Sequence, residues 1–303
     1  MAVAATVSAA APAAAHTVRR KNATETKARD KDMAASVGAP IIAGLLPRPL
    51  RTMNLLAFDT STDTLSIAMA RGAARWQHSG PGGAQASTTL LPAIRQLLAE
   101  ARLALGDLEA IAFGRGPGSF TGLRTACAVA QGLAFGAGSG RGVPVLPIDT
   151  LAAVAEAARQ QYGCTEVIAV LDARMNEVYW ARYQWQGGVW LGSGSGEEGE
   201  SSDGDFGLCA PEALLVSPGW SVAGNAQTAY GERLAPDAQH LHALPDASAL
   251  LRLAPALLAA GAALPAAQAL PRYIRNKVAK TTQERAEERA VQLAALISAN
   301  VQP

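Results

Sequence analysis

A short apolar run that ends on an aspartate, turns and resumes as a second extended run occurs twice in this chain. No other feature restricts the fold as much. The first copy is Asn54–Phe58, ending on Asp59. The segment Asp59-Thr60-Ser61-Thr62-Asp63 is a turn by composition, Leu65–Ala70 is extended again, and Gly72 closes the unit. The second copy is Glu166–Leu171, ending on Asp172, with a turn over residues 173–176 and an alternating strand from Glu177 to Trp185. Two such strand hairpins point to an internal duplication.

The residues between the copies read as alternating helices and strands, which makes the class mixed α/β. Leu90, Leu91, Ile94, Leu97, Leu98 and Ala101 recur at helical spacing, so a helix is expected from Ser87 to Leu105, capped by Ser87 or Thr88. Gly80 to Ala86 reads as a glycine-rich loop. Strands are expected at 108–113 and 143–147. A small-residue helix is expected from Thr125 to Phe135, and another from Thr150 to Tyr162, capped by Asp149 or Thr150. Residues 186–207 are rich in Gly, Ser, Asp and Glu and read as a solvated acidic loop. A helix is expected around Leu251–Leu258.

Charge narrows the function classes. The chain of 303 residues carries 26 Lys and Arg against 25 Asp and Glu, but unevenly. Residues 1–52 hold eight basic and three acidic side chains, leaving 18 basic and 22 acidic for the rest. A mildly acidic globular part has no basic stripe with which to grip a phosphate backbone alone. Half of the residues are apolar, enough for a sizeable core. The longest uncharged apolar run near the C-terminus is broken by Pro255, Gly261 and Pro265, so it reads as a buried helix and loop rather than a membrane span. Cys127, Cys164 and Cys209 are odd in number and far apart, as free thiols of a reducing compartment would be. Residues 1–52 read as an unstructured tail or an over-long start, with Met53 opening the first strand. Residues 53–165 and 166–280 each begin with one copy of the hairpin unit, and residues 281–303 are expected to form a helical tail.

The run from Gly114 to Arg124, GRGPGSFTGLR, is the most unusual local feature. A glycine loop that opens into a helix can cradle an anion. This one lacks the Gly-Lys-Ser/Thr ending of a Walker loop and the GxGxxG spacing of a dinucleotide loop. On local chemistry the glycines serve tight turns and close packing. Phe120, an apolar ring at a helix start, is either a hydrophobic plug or a contact for another chain.

Several segments together resemble the TsaB (YeaZ) family: LLAFDTSTDTLSIAMARG, LLPAIRQLL, LEAIAFGRGPGSFTGLRTACAVAQGLAFG, VLDARMNEVYWARY and PAAQALPRYIRNKVA, from Met53 to Ala279. The resemblance implies the actin/Hsp70/sugar-kinase (ASKHA) fold, with two lobes, 53–165 and 166–280, that each start with a strand hairpin. It also implies a non-catalytic subunit that pairs with a catalytic paralogue, TsaD. That paralogue transfers a threonylcarbamoyl group to N6 of adenosine 37 in tRNAs reading ANN codons. A TsaE-type ATPase joins the assembly, tRNA is met through the complex, and the chain alone forms a homodimer. The implied location is the cytoplasm, with no cofactor, metal or membrane. The catalytic paralogue carries paired histidines on a helix that hold a metal. Here His16 and His78 stand alone, and His240 and His242 are two apart, wrong for one helix face. Most relatives also carry a histidine where this chain has Ala86.

Arg115, Pro117, Gly118, Ser119, Phe120, Thr121, Leu123 and Arg124 are the expected partner-interface residues, with Ala126, Ala130 and Gly132 on the helix that follows. Asp59, Thr60 and Ser61 match the place where fold relatives approach nucleotide phosphates, so they are a vestigial nucleotide contact or simply an Asx turn. Asp172 and Arg174 stand at the equivalent turn of the second copy and could lock the lobes together. An ATP-dependent enzyme of the sugar-kinase type is the alternative function. A peptidase is a third, for which no Ser/His/Asp cluster can be assembled.

Overall fold

The computed structural model describes residues 49, 52–137, 142–193 and 206–275. The tails expected at 1–52 and 281–303 therefore lie largely outside the described residues. The first lobe runs β1 (Asn54–Asp59), β2 (Thr64–Arg71), β3 (Ala74–Pro81), α1 (Ala86–Ala101), β4 (Ala110–Gly116), α2 (Phe120–Gly136), β5 (Val145–Asp149) and α3 (Thr150–Tyr162). The second runs β6 (Glu166–Arg174), β7 (Glu177–Gln186), β8 (Val189–Ser193), β9 (Gly207–Cys209), β10 (Ser221–Gly224), α4 (Ala226–Tyr230), β11 (Gln239–His242) and α5 (Ala247–Ala259).

The two sheets repeat one plan. The first has the order β3-β2-β1-β4-β5, the second β8-β7-β6-β10-β11, with β9 added beside β7. In each, the opening three strands are antiparallel and the last two add in parallel. The fold is the two-lobed ASKHA-like architecture, and the duplicated hairpins are its first strands.

Alternation along β1 explains the layers. Leu55 and Ala57 pack with Leu151, Val154, Leu250 and Leu251 of α3 and α5, in a core that also takes Val167, Ala169 and Leu171 from β6. Leu56 and Phe58 point to the other face, onto Leu90 and Ile94 of α1 and beside Ile111 and Phe113 of β4. Phe58 and Phe113 are fully buried, each worth roughly 2–3 kcal/mol of apolar burial. Alanines at 153, 155 and 158 keep α3 slim enough to sit in the shared core. Its one buried charge, Glu156, accepts from Arg159, Arg252 and the Trp190 indole. The chain then returns to where it started: α5 packs on β1 and β2, Ala247 N–H donates to Ser66 Oγ at 2.9 Å, and Leu264 bridges to Val145 of β5.

Several boundaries differ from expectation, each for a local reason. The segment before α1 holds a third strand, β3, where Gly72 was expected to close the unit. Its residues are mostly exposed because it is an edge strand. Helix α1 stops at Ala101, since Arg102 is left-handed (φ 52°) and Leu103 N–H turns back to Leu98 O at 3.0 Å. Ser87 and Thr88 do not cap it; their hydroxyls donate backward to Ala84 and Gln85 carbonyls. Strand β4 runs on to Gly116, taking the first glycines of the loop, and α2 begins at Phe120, capped by Ser119. The expected acidic loop at 186–207 holds β8 within it, and its residues 194–205 lie outside the described ones.

Candidate partner face and the filled glycine loop

Three glycines spaced by four residues meet three consecutive residues of the β1–β2 turn. A Cβ on Gly114 would fall 1.7 Å from Asp59 Oδ2, one on Gly118 2.6 Å from the Ser61 carbonyl oxygen, and one on Gly122 1.8 Å from the Thr60 carbonyl oxygen. Only hydrogen fits at each, so the glycines exist for this close approach. The contact is also bonded: Ser119 N–H donates to Ser61 O at 2.7 Å, and Thr60 Oγ1 donates to Gly122 O at 2.7 Å. The start of α2, where an anion would sit in a phosphate-binding loop, is met by the chain's own carbonyl. Asp59 and Thr60 are wholly buried and Ser61 is 3% exposed. Of the three, only Ser61 reaches the wall of the cleft between the lobes, a cavity of about 330 Å³ that also takes in Asp63, Ser119, Asp172, Arg174, Asn225 and Arg275.

The two repeated aspartates have different surroundings. Asp59 Oδ1 accepts from Ser61 N–H and Ser61 Oγ–H at 2.8 and 2.6 Å, so the turn is of the Asx type. Its Oδ2 is buried with no hydrogen-bond partner. Burial pushes the Asp59 carboxyl up to about 6, against the lowering effect of the Ser61 bonds and helped by the charge of Asp246. Asp172 Oδ1 accepts from Arg174 N–H and Tyr230 OH at 2.7 and 2.8 Å, and its Oδ2 lies 3.1 Å from Arg174 Nη1. Arg174 also reaches across the cleft to Asp63 at 3.2 Å, but the two side chains are 72% and 86% exposed, so solvent leaves this lock little strength.

The expected interface residues separate into three groups. Phe120, Thr121 and Arg124 face outward. Gly118 and Ser119 are half-buried, and Arg115 is held by Asp149, with Nε to Oδ1 at 2.6 Å and Nη2 to Oδ2 at 3.2 Å. Pro117 and Leu123 are buried. Ala126 and Ala130, expected at the interface, are instead fully buried in the core beside Ile111 and Phe113, because their side of α2 faces the sheet. Gly132 is exposed. The outward side carries Arg124, Ala128, Gly132 and Phe135, the last 66% exposed, and α1 adds Leu91 at 42%. An apolar, small-residue helix face rimmed by arginine suits another protein chain.

Tyr273 completes this face, and sequence reasoning missed its role. Its ring lies 5.2 Å from that of Phe120. The Arg124 guanidinium sits 3.8 Å over the Phe120 ring, and Arg124 Nε donates to Tyr273 OH at 2.9 Å. No local signal links residues 149 positions apart. Phe135 was detectable as a large apolar residue in line with Ala128 and Gly132 on the side of α2 away from the sheet.

The other candidate chemistry is muted. Burial pushes all three thiols upward, Cys209 to about 11, so none is a ready thiolate. His78 is exposed on β3 and His240 Nε2 lies 3.0 Å from Ala235 O; His16 lies outside the described residues. Among the described residues no three of His, Cys, Asp and Glu stand together as a metal set. No helix among them is long and apolar enough to cross a membrane.

The family model described as TsaD, tRNA N6-adenosine threonylcarbamoyltransferase, matches residues 81–193. The tRNA threonylcarbamoyladenosine biosynthesis protein TsaB of Escherichia coli is 34% identical over 239 residues, 75% of this chain and 96% of that protein. The Haemophilus influenzae protein of the same name is 42% identical over 133 residues, 44% of this chain and 55% of its own. The solved structure of YeaZ from Pseudomonas aeruginosa aligns with a TM-score of 0.64 at 40% identity, covering 73% of this chain and 99% of that one. A second structure from that organism, described as similar to peptidase YeaZ, aligns equally well, with a TM-score of 0.64.

Proposed function

The chain belongs to the TsaB (YeaZ) family, and from that premise we propose that it serves tRNA threonylcarbamoyladenosine biosynthesis as a non-catalytic partner subunit. It pairs through the exposed α1–α2 face with the catalytic paralogue TsaD, which transfers the threonylcarbamoyl group to adenosine 37. A TsaE-type ATPase joins the pair, and the complex, not this mildly acidic chain alone, holds the tRNA. Without its partner the chain uses the same face for a homodimer. We place this work in the cytoplasm, where tRNA is modified.

One observation supports the non-catalytic reading above others. The Ser61 carbonyl occupies the Ser119 N–H at the start of α2, and Asp59, where the resemblance implies a vestigial nucleotide contact, is sealed beneath Gly114. The test is depletion of the gene followed by measurement of modified nucleosides. Loss of threonylcarbamoyladenosine is expected, and an unchanged level would sink the reading.

A further inference from the structure

One segment touches both the partner face and the second lobe. Residues 270–275 run past the start of α2 without regular secondary structure. Arg272 N–H donates to Arg115 O at 2.7 Å, and Arg272 Nη1 lies 3.6 Å from Asp149 Oδ1. The path is tight: a Cβ on Gly116 would fall 2.5 Å from the Arg272 carbonyl oxygen. Tyr273 then joins Phe120 and Arg124 on the partner face. Two residues on, the chain reaches the other lobe. The Arg275 guanidinium pairs with Glu177, lies 3.2 Å from Met175 Sδ, and donates to Arg174 O at 3.3 Å. Its side chain is only 12% exposed.

The turn that Arg275 grips is unusual. Arg174, Met175 and Asn176 all have positive φ, at 60°, 56° and 63°. Non-glycine residues are strained there and persist only when their surroundings hold them. Asp172 holds this turn from one side, Arg233 Nη2 donates to Asn176 Oδ1 at 2.7 Å, and Arg275 holds it from the side of the first lobe. Arg174 and Met175 of this turn line the interlobe cleft.

We propose that residues 270–275 are a strap that couples the partner face to the cleft: the bound partner contacts Tyr273, and Arg275 passes the contact to the Arg174–Asn176 turn. The inference rests on the proposed pairing with the catalytic paralogue through α2. Tyr273 and Arg275 are two residues apart, about 7 Å in extended chain, and both ends are anchored. A partner that fixes Tyr273 therefore steadies the turn, and one that moves it pulls on the turn.

Hydrogen exchange of the 170–180 segment, with and without the purified catalytic paralogue, tests this in the full chain. The variants are Phe120→Asp, Tyr273→Ala and Arg275→Gln, each checked for an unaltered melting transition. In the unsubstituted protein, complex formation should slow exchange in this segment several-fold. Tyr273→Ala should bind about tenfold more weakly, as truncating an aromatic interface residue does. Arg275→Gln should bind within about threefold of normal, since its contacts lie in the second lobe, yet show no slowing. Slowing that persists in Arg275→Gln, or normal binding by Tyr273→Ala, overturns the strap. Normal binding by Phe120→Asp removes the partner face itself, and the strap with it, so the two failures are told apart.

Discussion

Asp59 and Asp172 close the same turn in the two halves of the molecule, each accepting the N–H of the residue two further on, at 2.8 and 2.7 Å. Only Asp172 has a partner for its second oxygen, the guanidinium of Arg174. The Asp59 Oδ2 is packed against Gly114 and has no hydrogen-bond partner.

Asp59 should therefore make stability fall with rising pH. Its carboxyl goes from 3.8 in the open chain to about 6 when folded, so the folded state holds the proton more tightly. The stabilising contribution is complete below pH 3.8 and is lost as pH rises through about 6. Between pH 4 and pH 8, Asp59→Asn should gain about 2–3 kcal/mol relative to the unsubstituted chain. Urea denaturation of both across that range measures it; parallel pH profiles would contradict the assignment.

Gly122→Ala should be among the most destabilising single changes in the first lobe. The new methyl would fall 1.8 Å from a backbone oxygen, that of Thr60, which cannot swing away as a side chain could. A loss of about 3 kcal/mol or more is expected. A melting temperature within two degrees of normal would show that the turn gives way easily.

Phe120→Asp and Phe135→Glu should leave the fold standing and break association. Both rings are well exposed, 40% and 66%, so their loss costs the monomer about 1 kcal/mol or less. A charge in the centre of a helix–helix contact should weaken it more than tenfold. Size-exclusion chromatography, alone and after co-expression with the catalytic paralogue, reads both effects. Unchanged elution of both variants would move the partner face elsewhere.

Purified protein should bind neither ATP nor ADP with magnesium. The arginines of the cleft, Arg174 and Arg275, are already paired with Asp63, Asp172 and Glu177, and the start of α2 is already met by Ser61 O. Calorimetric titration giving a dissociation constant below about 1 mM would restore the sugar-kinase alternative.

Much of the fold could be read from residues in order. The hairpins were visible because apolar runs ended on aspartates, and α3 begins and ends where its pattern does, at Thr150 and Tyr162. Strand β3 escaped because an edge strand, paired on one side only, keeps polar residues such as Arg75, Gln77 and His78. The glycine loop could be denied to nucleotide cradles by its spacing. Its actual purpose could not be read, since the atoms that fill it come from residues 59–61. Tyr273 was hidden for the same reason: its neighbours Phe120 and Arg124 are distant in sequence.

The return of α5 and Leu264 to the first sheet has a consequence for how the molecule is made. Strand β1 is among the first described residues, yet its inner face is covered by Leu250 and Leu251, and β5 waits for Leu264. The α3-side core of the first lobe therefore closes only after α5 and Leu264 have left the ribosome, and residues 53–165 made alone should stay a sticky, incomplete intermediate.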